Sequence, residues 1–237
     1  MQSEYIYGVN PALEVLNAGR RRVVRAWLAD ESQKNPRLRK LRALLAGAKV
    51  PVEHARREQL ARHCGSNEHQ GVVLMVTPYV YAALDEVLAA TRVLLLDNVE
   101  DPQNVGAILR SAEVFGWSSV LLSRRGVPPV YASVVKASAG AVEHLQVCRE
   151  LTANACVRRA REAGFQIWAM DAAGQLDIGA ASGQIPEKLL LVIGGEHCAV
   201  GQFILNEADR VLVIPQAGRV SSLNASVAAG IALFALR

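Results

Sequence analysis

The chain has 237 residues, with 26 Lys plus Arg against 22 Asp plus Glu, a formal charge of +4, 51% apolar residues and 5% aromatics. That length suits one large domain or two small ones with a sizeable core, so no disulfide scaffold is needed, and the apolar fraction with the modest charge excludes a largely disordered chain. No run reaches the ~20 apolar residues of a bilayer span, Met1-Gln2-Ser3-Glu4 lacks the marks of a signal peptide, and Cys64, Cys148, Cys156 and Cys198 are scattered without a C-x-x-C pair, as expected of reduced thiols in a cytoplasmic protein.

Taken in order, Asn10-Pro11-Ala12 opens a short helix, with Asn10 as its cap and Pro11 in its first turn. Val23 to Ala29 reads as a strand. Arg37 to Ala46 has helical spacing in Leu38, Leu41, Leu44 and Leu45 and stops at Gly47. Val50-Pro51-Val52 is a short extended piece, Arg57 to Cys64 a helix ended by Gly65, and Gly71 to Val76 a buried strand. These make a small α/β module over residues 1–76. Residues 77–91, with Pro78 and an Ala-rich pattern, are expected to be a linker.

Residues 92–237 form a second, larger module. Strands are expected at Val93–Leu96, Ser119–Leu122, Phe165–Met170, Leu189–Ile193 and Val211–Ile214. Helices are expected at Val105–Phe115, around Ala132–Ser138, at Asn154–Ala163 and at Ala225–Leu236. Continuously apolar strands alternating with helices predict a parallel sheet covered on both faces.

The charge is unevenly shared. Residues 1–65 hold 13 basic and 6 acidic residues, a net of +7, whereas residues 92–237 hold 13 of each. The basic residues cluster at Arg20, Arg21, Arg22 and Arg25, at Lys34, Arg37, Arg39, Lys40 and Arg42, and at Arg56, Arg57 and Arg62. Such asymmetry points to a polyanion partner, with solvated helix faces as the plainer explanation. The excess of Arg over Lys suits phosphate recognition.

Three loops at expected strand ends carry polar residues. Neither G-x-G-x-x-G nor G-x-x-x-x-G-K-[ST] occurs, which weakens dehydrogenase, kinase and ATPase readings. The first loop runs Asp97 to Gly106 and enters a helix carrying Arg110. Asn104 and Arg110 are six apart, so pitch alone does not put them on one face. The second is Gly194-Gly195-Glu196-His197, whose glycines would let a ligand approach the backbone. The third runs from Ile214 to Ser226, where Ser222 or Asn224 would also serve as a plain helix cap.

Together the loops resemble the three motifs of the SpoU, or TrmH-like, family of RNA 2′-O-ribose methyltransferases in the SPOUT class. Motif one is similar to Asp101-Pro102-Gln103-Asn104-Val105-Gly106 through Arg110-Ser111-Ala112. Motif two is similar to Leu191-Val192-Ile193-Gly194-Gly195-Glu196, and motif three to Ile214-Pro215 through Ser221-Ser222-Leu223-Asn224-Ala225-Ser226. The intervening Lys136-Ala137-Ser138-Ala139-Gly140-Ala141 also fits. Tyr7-Gly8-Val9-Asn10-Pro11-Ala12 and His69-Gln70-Gly71-Val72 resemble the family's small substrate-binding domain, of a fold like ribosomal protein L30.

The resemblance implies a catalytic domain with a deep trefoil knot, S-adenosylmethionine as cofactor, a homodimer and no metal. Its RlmB-like branch implies a guanosine ribose of bacterial large-subunit (23S) rRNA as target; tRNA, or RNA binding without catalysis, are the alternatives. Carried over residue by residue, Arg110 would position the ribose–phosphate and stabilise the developing alkoxide, since arginine holds its proton too firmly to act as a base. Asn104 would orient Arg110 or the ribose, Glu196 would orient side chains beside the cofactor or substrate, and Ser222 and Asn224 would line the pocket. Gly194, Gly195, Ile214 and Leu223 would contact the cofactor, and Arg20, Arg21, Arg22 and Arg25 would grip RNA. One departure is His197-Cys198-Ala199-Val200, where the family often has further glycines; this bulkier loop would narrow the site.

Overall fold

The computed structural model describes residues 3–29, 36–196, 198–219 and 222–237. Lys34 of the second basic cluster, and His197, Val220 and Ser221 of the motif loops, lie outside the described residues. Two compact units are present: residues 1–80 with 130–144, and residues 81–129 with 145–237.

The first unit holds a four-stranded sheet in the order β1-β4-β2-β3, built from Glu4–Tyr7 (β1), Val23–Ala29 (β2), Val52–Ala55 (β3) and Val72–Val76 (β4). Strand β4 is antiparallel to β1 and β2, and β2 is parallel to β3. Helices Val9–Ala18 (α1), Pro36–Gly47 (α2) and Arg57–Cys64 (α3) complete the expected module. Asn10 is not the cap of α1. The helix begins at Val9, one residue earlier, and the side-chain oxygen of Gln70 accepts its first N–H at 3.1 Å. The His69-Gln70-Gly71 motif thus closes a helix end: His69 Nδ1 also accepts the Gly71 N–H at 3.0 Å.

Residues 130–144, expected within the catalytic module, belong to this first unit. They form helix Ala132–Ala137 (α6) and a 3-10 turn over Ala141–His144. Lys136 Nζ donates to the Glu68 carbonyl at 2.9 Å, and His144 meets Glu14 of α1 at 2.8 Å. The Lys136–Ala141 motif is therefore packing for the small unit.

The second unit is a seven-stranded, all-parallel sheet. Its strands are Arg92–Leu96 (β5), Ser119–Leu122 (β6), Gln146–Cys148 (β7), Gln166–Met170 (β8), Leu176–Asp177 (β9), Leu189–Ile193 (β10) and Arg210–Val213 (β11), in the order β7-β6-β5-β10-β8-β11-β9. All five residues of β10 are buried, as a central strand covered on both faces requires. Val93, Leu95, Leu190 and Val192 face a core shared with helices Leu84–Leu88 (α4), Ala153–Glu162 (α7) and Gln202–Glu207 (α9). The alternate side chains Leu94, Leu96 and Leu191 are fully buried on the opposite face. Helices Pro102–Val114 (α5) and Ala225–Ala235 (α10) pack on each other, the short helix Ile178–Ala181 (α8) touches α10, and the Trp117 indole donates to the Leu233 carbonyl at 3.2 Å.

Residues 81–91 are part of this unit and not a linker. Leu84, Val87 and Leu88 of α4 are buried in its core, and Ala82 N–H donates to the Val147 carbonyl at 2.8 Å. Strands β10 and β11 enter between strands made earlier in the chain, an order that accommodates the threading implied by the resemblance. Among the described residues no helix is long and apolar enough to cross a membrane.

Candidate active site

Because every strand of the large sheet is parallel, all the loops after the strands gather at one edge, where ligands of such sheets bind. Four of these loops, after β5, β8, β10 and β11, build the site.

Glu196, after β10, is its centre. Its Oε1 accepts from Asn104 Nδ2 at 2.9 Å, from Asn224 Nδ2, and from the backbone N–H of Ala225 at 3.4 Å. Asn224 Nδ2 also donates to Asn104 Oδ1 at 3.0 Å. Asn224 Oδ1 accepts the backbone N–H groups of Ser226 at 2.9 Å and Val227 at 3.3 Å, capping α10. The cap and the site role are thus one residue: the capping oxygen fixes the amide so that its nitrogen faces the carboxylate. Asp101 caps α5 through the Gln103 N–H at 2.9 Å, with Pro102 in the first turn, which sets Asn104 at the helix start.

Beside this cluster lies a cleft of about 240 Å³, lined by Gly194, Gly195, Glu196, Ile214, Ser222 and Leu223 among others. All four residues expected at a cofactor therefore line one cavity. Met170, Asp171 and Ala172, after β8, line it too. Sequence reasoning passed over them, although the strand Phe165–Met170 was legible and its end could have been taken as a fourth site loop. A second cavity of about 130 Å³ shares Gly195 and Glu196 and adds Asn98, Asp101, Asn104 and Cys198.

The glycines are also required by the protein's own packing. A Cβ on Gly195 would lie 1.9 Å from the Asn98 carbonyl oxygen, and one on Gly194 would lie 2.4 Å from the Val200 nitrogen. Protein backbone thus presses on both glycines, which also line the cleft. Asn98, at φ 55°, donates from Nδ2 to the Ala199 carbonyl at 3.4 Å, and buried Asp97 accepts the Gly201 N–H at 3.1 Å. Burial raises the Asp97 carboxyl, and the Gly201 hydrogen bond pulls it partly back. The β10 loop is thus clamped onto the β5 loop, and Val200, 4% exposed, anchors it in the core.

Asn104 bonds Glu196, and no hydrogen bond joins it to Arg110 among the described residues. Arg110 lies exposed on α5, lines neither cavity, and has no hydrogen bond or ion pair among the described residues. Arg21 is not a surface grip for RNA: it is 3% exposed and bonds Thr77, Glu4 and Glu143 inside the first unit. Arg20 and Arg22 are exposed, and Arg25 pairs with Glu53 at 2.7 Å on the surface.

The cleft suits S-adenosylmethionine by its chemistry. Ile193, Val200, Ile214, Leu223 and Ala228 offer apolar walls to a flat base, Glu196 and Asp171 offer negative charge to a cationic sulfonium, and no Lys or Arg lines it among the described residues. A wholly parallel sheet with such a cleft and a three-motif polar cluster at its carboxyl edge is that of a SPOUT methyltransferase with an N-terminal substrate-binding domain.

The chain belongs to the SpoU rRNA Methylase family, whose pattern matches residues 91–234, and it is an enzyme of the RNA methyltransferase class. A pattern described as RNA 2′-O ribose methyltransferase substrate binding matches residues 5–82. The family uses S-adenosylmethionine. The chain is 32% identical, over 98% of its length, to YacO of Bacillus subtilis (strain 168), named for the TrmH family of tRNA/rRNA methyltransferases, and covers 94% of that protein. An AdoMet-bound rRNA methyltransferase from Sinorhizobium meliloti superposes with a TM-score of 0.79 at 25% identity, over 99% of this chain and 87% of that one. The SpoU methyltransferase AviRb from Streptomyces viridochromogenes, solved with AdoMet, shares the fold with a TM-score of 0.78 at 23% identity, over 99% of this chain and 89% of that one.

Proposed function

We propose that this protein methylates the 2′-oxygen of a ribose in RNA, with a guanosine of bacterial large-subunit rRNA as target, in the manner of the RlmB-like branch. The observation that carries the reading is the meeting of Asn104, Glu196 and Asn224, one residue from each motif, at the rim of the cleft. Bound there, S-adenosylmethionine supplies a methyl group on sulfonium, already attached to a good leaving group. The chain has then to hold the ribose in line and ease loss of the hydroxyl proton. Alignment is a large part of the gain.

Gly194, Gly195, Ile214 and Leu223 hold the cofactor in this reading, and Ser222 borders both cofactor and ribose. Asn104 and Asn224 fix the Glu196 carboxylate so that its second oxygen, unbonded among the described residues, faces the ribose. Arg110 positions the ribose–phosphate. It lies one turn from Val114, which is 65% exposed, on the same stripe of α5. Val227, Ile231 and Phe234 of α10 are also exposed, at 49%, 38% and 51%. An apolar face of this kind is a site for a second copy of the chain. We place Arg110 at that face, where a homodimer brings it to a reaction centre. No metal is needed, and the reaction belongs in the cytoplasm.

A large-subunit target is favoured over tRNA by coverage. A structure solved for 2-OH methylation of C/U34 on tRNA matches only 61% of this chain, with a TM-score of 0.55 at 28% identity, although 93% of it is covered. Exposed Arg20, Arg22 and Arg25 belong to the part matched by the substrate-binding pattern, and they grip RNA in this reading.

The test is transfer of labelled methyl groups to separated rRNA and tRNA, followed by mapping of 2′-O-methyl positions. A 2′-O-methylguanosine in large-subunit rRNA is the expected product. Label in tRNA alone would move the target to the alternative. No label in any RNA would leave an RNA-binding protein without catalysis.

A further inference from the structure

The turn after β6 carries two arginines, a third follows β7, and none of them has a paired carboxylate among the described residues. Arg124 and Arg125 are exposed, and neither side chain has a hydrogen bond or ion pair among the described residues. Arg149, after β7, is half-buried beneath them and donates through Nη2 to the carbonyls of Arg124 at 3.0 Å and Val127 at 2.9 Å. Its Nε is buried without a partner. No carboxylate pairs with any of the three among the described residues. The neighbouring Glu150 is exposed and makes no ion pair with them.

The turn is also held rigidly. Ser123 Oγ donates to the Arg125 carbonyl at 2.6 Å and accepts the Ala153 N–H at 3.2 Å. Arg124 N–H donates to the Leu151 carbonyl at 2.8 Å, and Ser123 N–H to the Leu96 carbonyl at 3.1 Å. Gly126 sits against the motif-one loop: a Cβ there would lie 2.6 Å from Asn98 Oδ1. Strand β6 neighbours β5, and β5 neighbours β10, so this turn stands at the same sheet edge as Glu196, two strands away.

Two exposed guanidinium groups on a pinned backbone, with a third positive charge below them and no carboxylate paired to any of the three among the described residues, are built for an anion supplied from outside. Holding the backbone in advance lowers the ordering cost of binding. Arginine forks match phosphate oxygens in pairs. We propose that the Ser123–Pro129 turn is a phosphate grip on the larger unit, holding the RNA backbone next to the nucleotide that is methylated. It rests on the reading of RNA as substrate, and adds a second RNA contact to the basic residues of the first unit.

The experiment compares the parent with the double variant Arg124→Gln, Arg125→Gln, measuring RNA affinity across a salt series and S-adenosylmethionine affinity by calorimetry. Both positions are exposed, so the fold is expected to survive. Loss of two phosphate contacts should weaken RNA binding and flatten the plot of log affinity against log salt by about 1.5. Cofactor affinity should match the parent. If the parent binds and methylates RNA but the variant shows the same RNA affinity and slope, the grip is overturned and the functional reading stands. If the parent neither binds nor methylates any RNA, that reading falls and the grip with it.

Discussion

At Gly195 the backbone of one loop meets the backbone of another, and a single methyl group would separate them. The Cβ of an alanine would lie 1.9 Å from the Asn98 oxygen, 2.8 Å from its carbon and 3.3 Å from the Cys198 oxygen, all backbone atoms that cannot swing aside. Gly195→Ala should therefore push the Glu196 loop off the Asn98 loop, opening the cleft. The expected result is a cofactor affinity at least about tenfold weaker, since a loss of about 1.4 kcal/mol suffices for that. Gly218 is the control: no described residue lies within 4 Å of its Cβ position, so Gly218→Ala should bind like the parent. Equal affinities for the two variants in calorimetry would show that loop apposition does not shape the cleft. Asn224→Ala removes two things at once. It deletes the α10 cap, at about 0.5–2 kcal/mol, and one donor to Glu196. Both a lower melting temperature and lost methyl transfer are expected, whereas Glu196→Ala, at an exposed position, should lose transfer with little change in melting. A double variant no worse in transfer than either single one would show the pair acting as a unit; fully additive losses would separate them.

The elements differ in how far they could be read from local sequence. Strand β10 is apolar throughout, and β5, β6 and β8 are apolar after their first residues Arg92, Ser119 and Gln166, because both faces are covered, so composition alone marks them. Strands β7 and β9 have three residues and two, too few for any period to show, and they exist because a neighbouring strand offers hydrogen bonds. Helix α4 looked like a linker because five residues hold barely one turn, yet its Leu84, Val87 and Leu88 fill the core. In the site, the three motif loops were legible and their meeting point was not, because Asn104 and Glu196 are 92 positions apart. Arg21 misled for a related reason. Nothing nearby in sequence shows that a charge in an Arg-Arg-Arg run turns inward to Glu143, 122 positions away. Both side chains of this pair are 1% exposed, and it ties residues 130–144 to the start of β2. A surface pair such as Arg25–Glu53 contributes about 0–1 kcal/mol, but breaking a buried one costs about 3–5 kcal/mol. Burial raises the Glu143 carboxyl, and Arg21 pulls it back. Native Glu143 therefore keeps its proton to a higher pH than the unfolded chain does, and stability falls as pH rises through that window. Arg21→Met removes the pull and extends the window upward. The variant should lose more stability relative to the parent at pH 8 than at pH 5, as denaturant midpoints would report. A loss independent of pH would mean that packing, not charge, is what Arg21 supplies.

For the whole molecule, the outstanding matter is Arg110. It makes no hydrogen bond to Asn104, Glu196 or Asn224 among the described residues, yet shares its helix stripe with exposed Val114, and α10, packed on α5, presents Val227, Ile231 and Phe234. Phe234 stacks edge-on against Phe115 with ring centroids 5.6 Å apart, and the Arg237 guanidinium lies 4.0 Å from its ring centre, so the patch is ordered while exposed. If two copies pair through this face, the Arg110 of one copy works with the Glu196 of the other. Arg110→Ala should then abolish methyl transfer while dimerisation and cofactor binding persist, and Glu196→Ala should also be inactive. Mixed and re-equilibrated, these two inactive proteins should regain activity. Half of the dimers would be mixed, and each mixed dimer would hold one complete site out of two, restoring about a quarter of the parent rate in a two-fold symmetric assembly. Phe234→Glu on both chains should prevent the recovery by separating the copies, which sedimentation would register directly. If the mixture stays inactive although mixed dimers form, Arg110 and Glu196 serve the same protomer's site, and α5 must turn to bring them together.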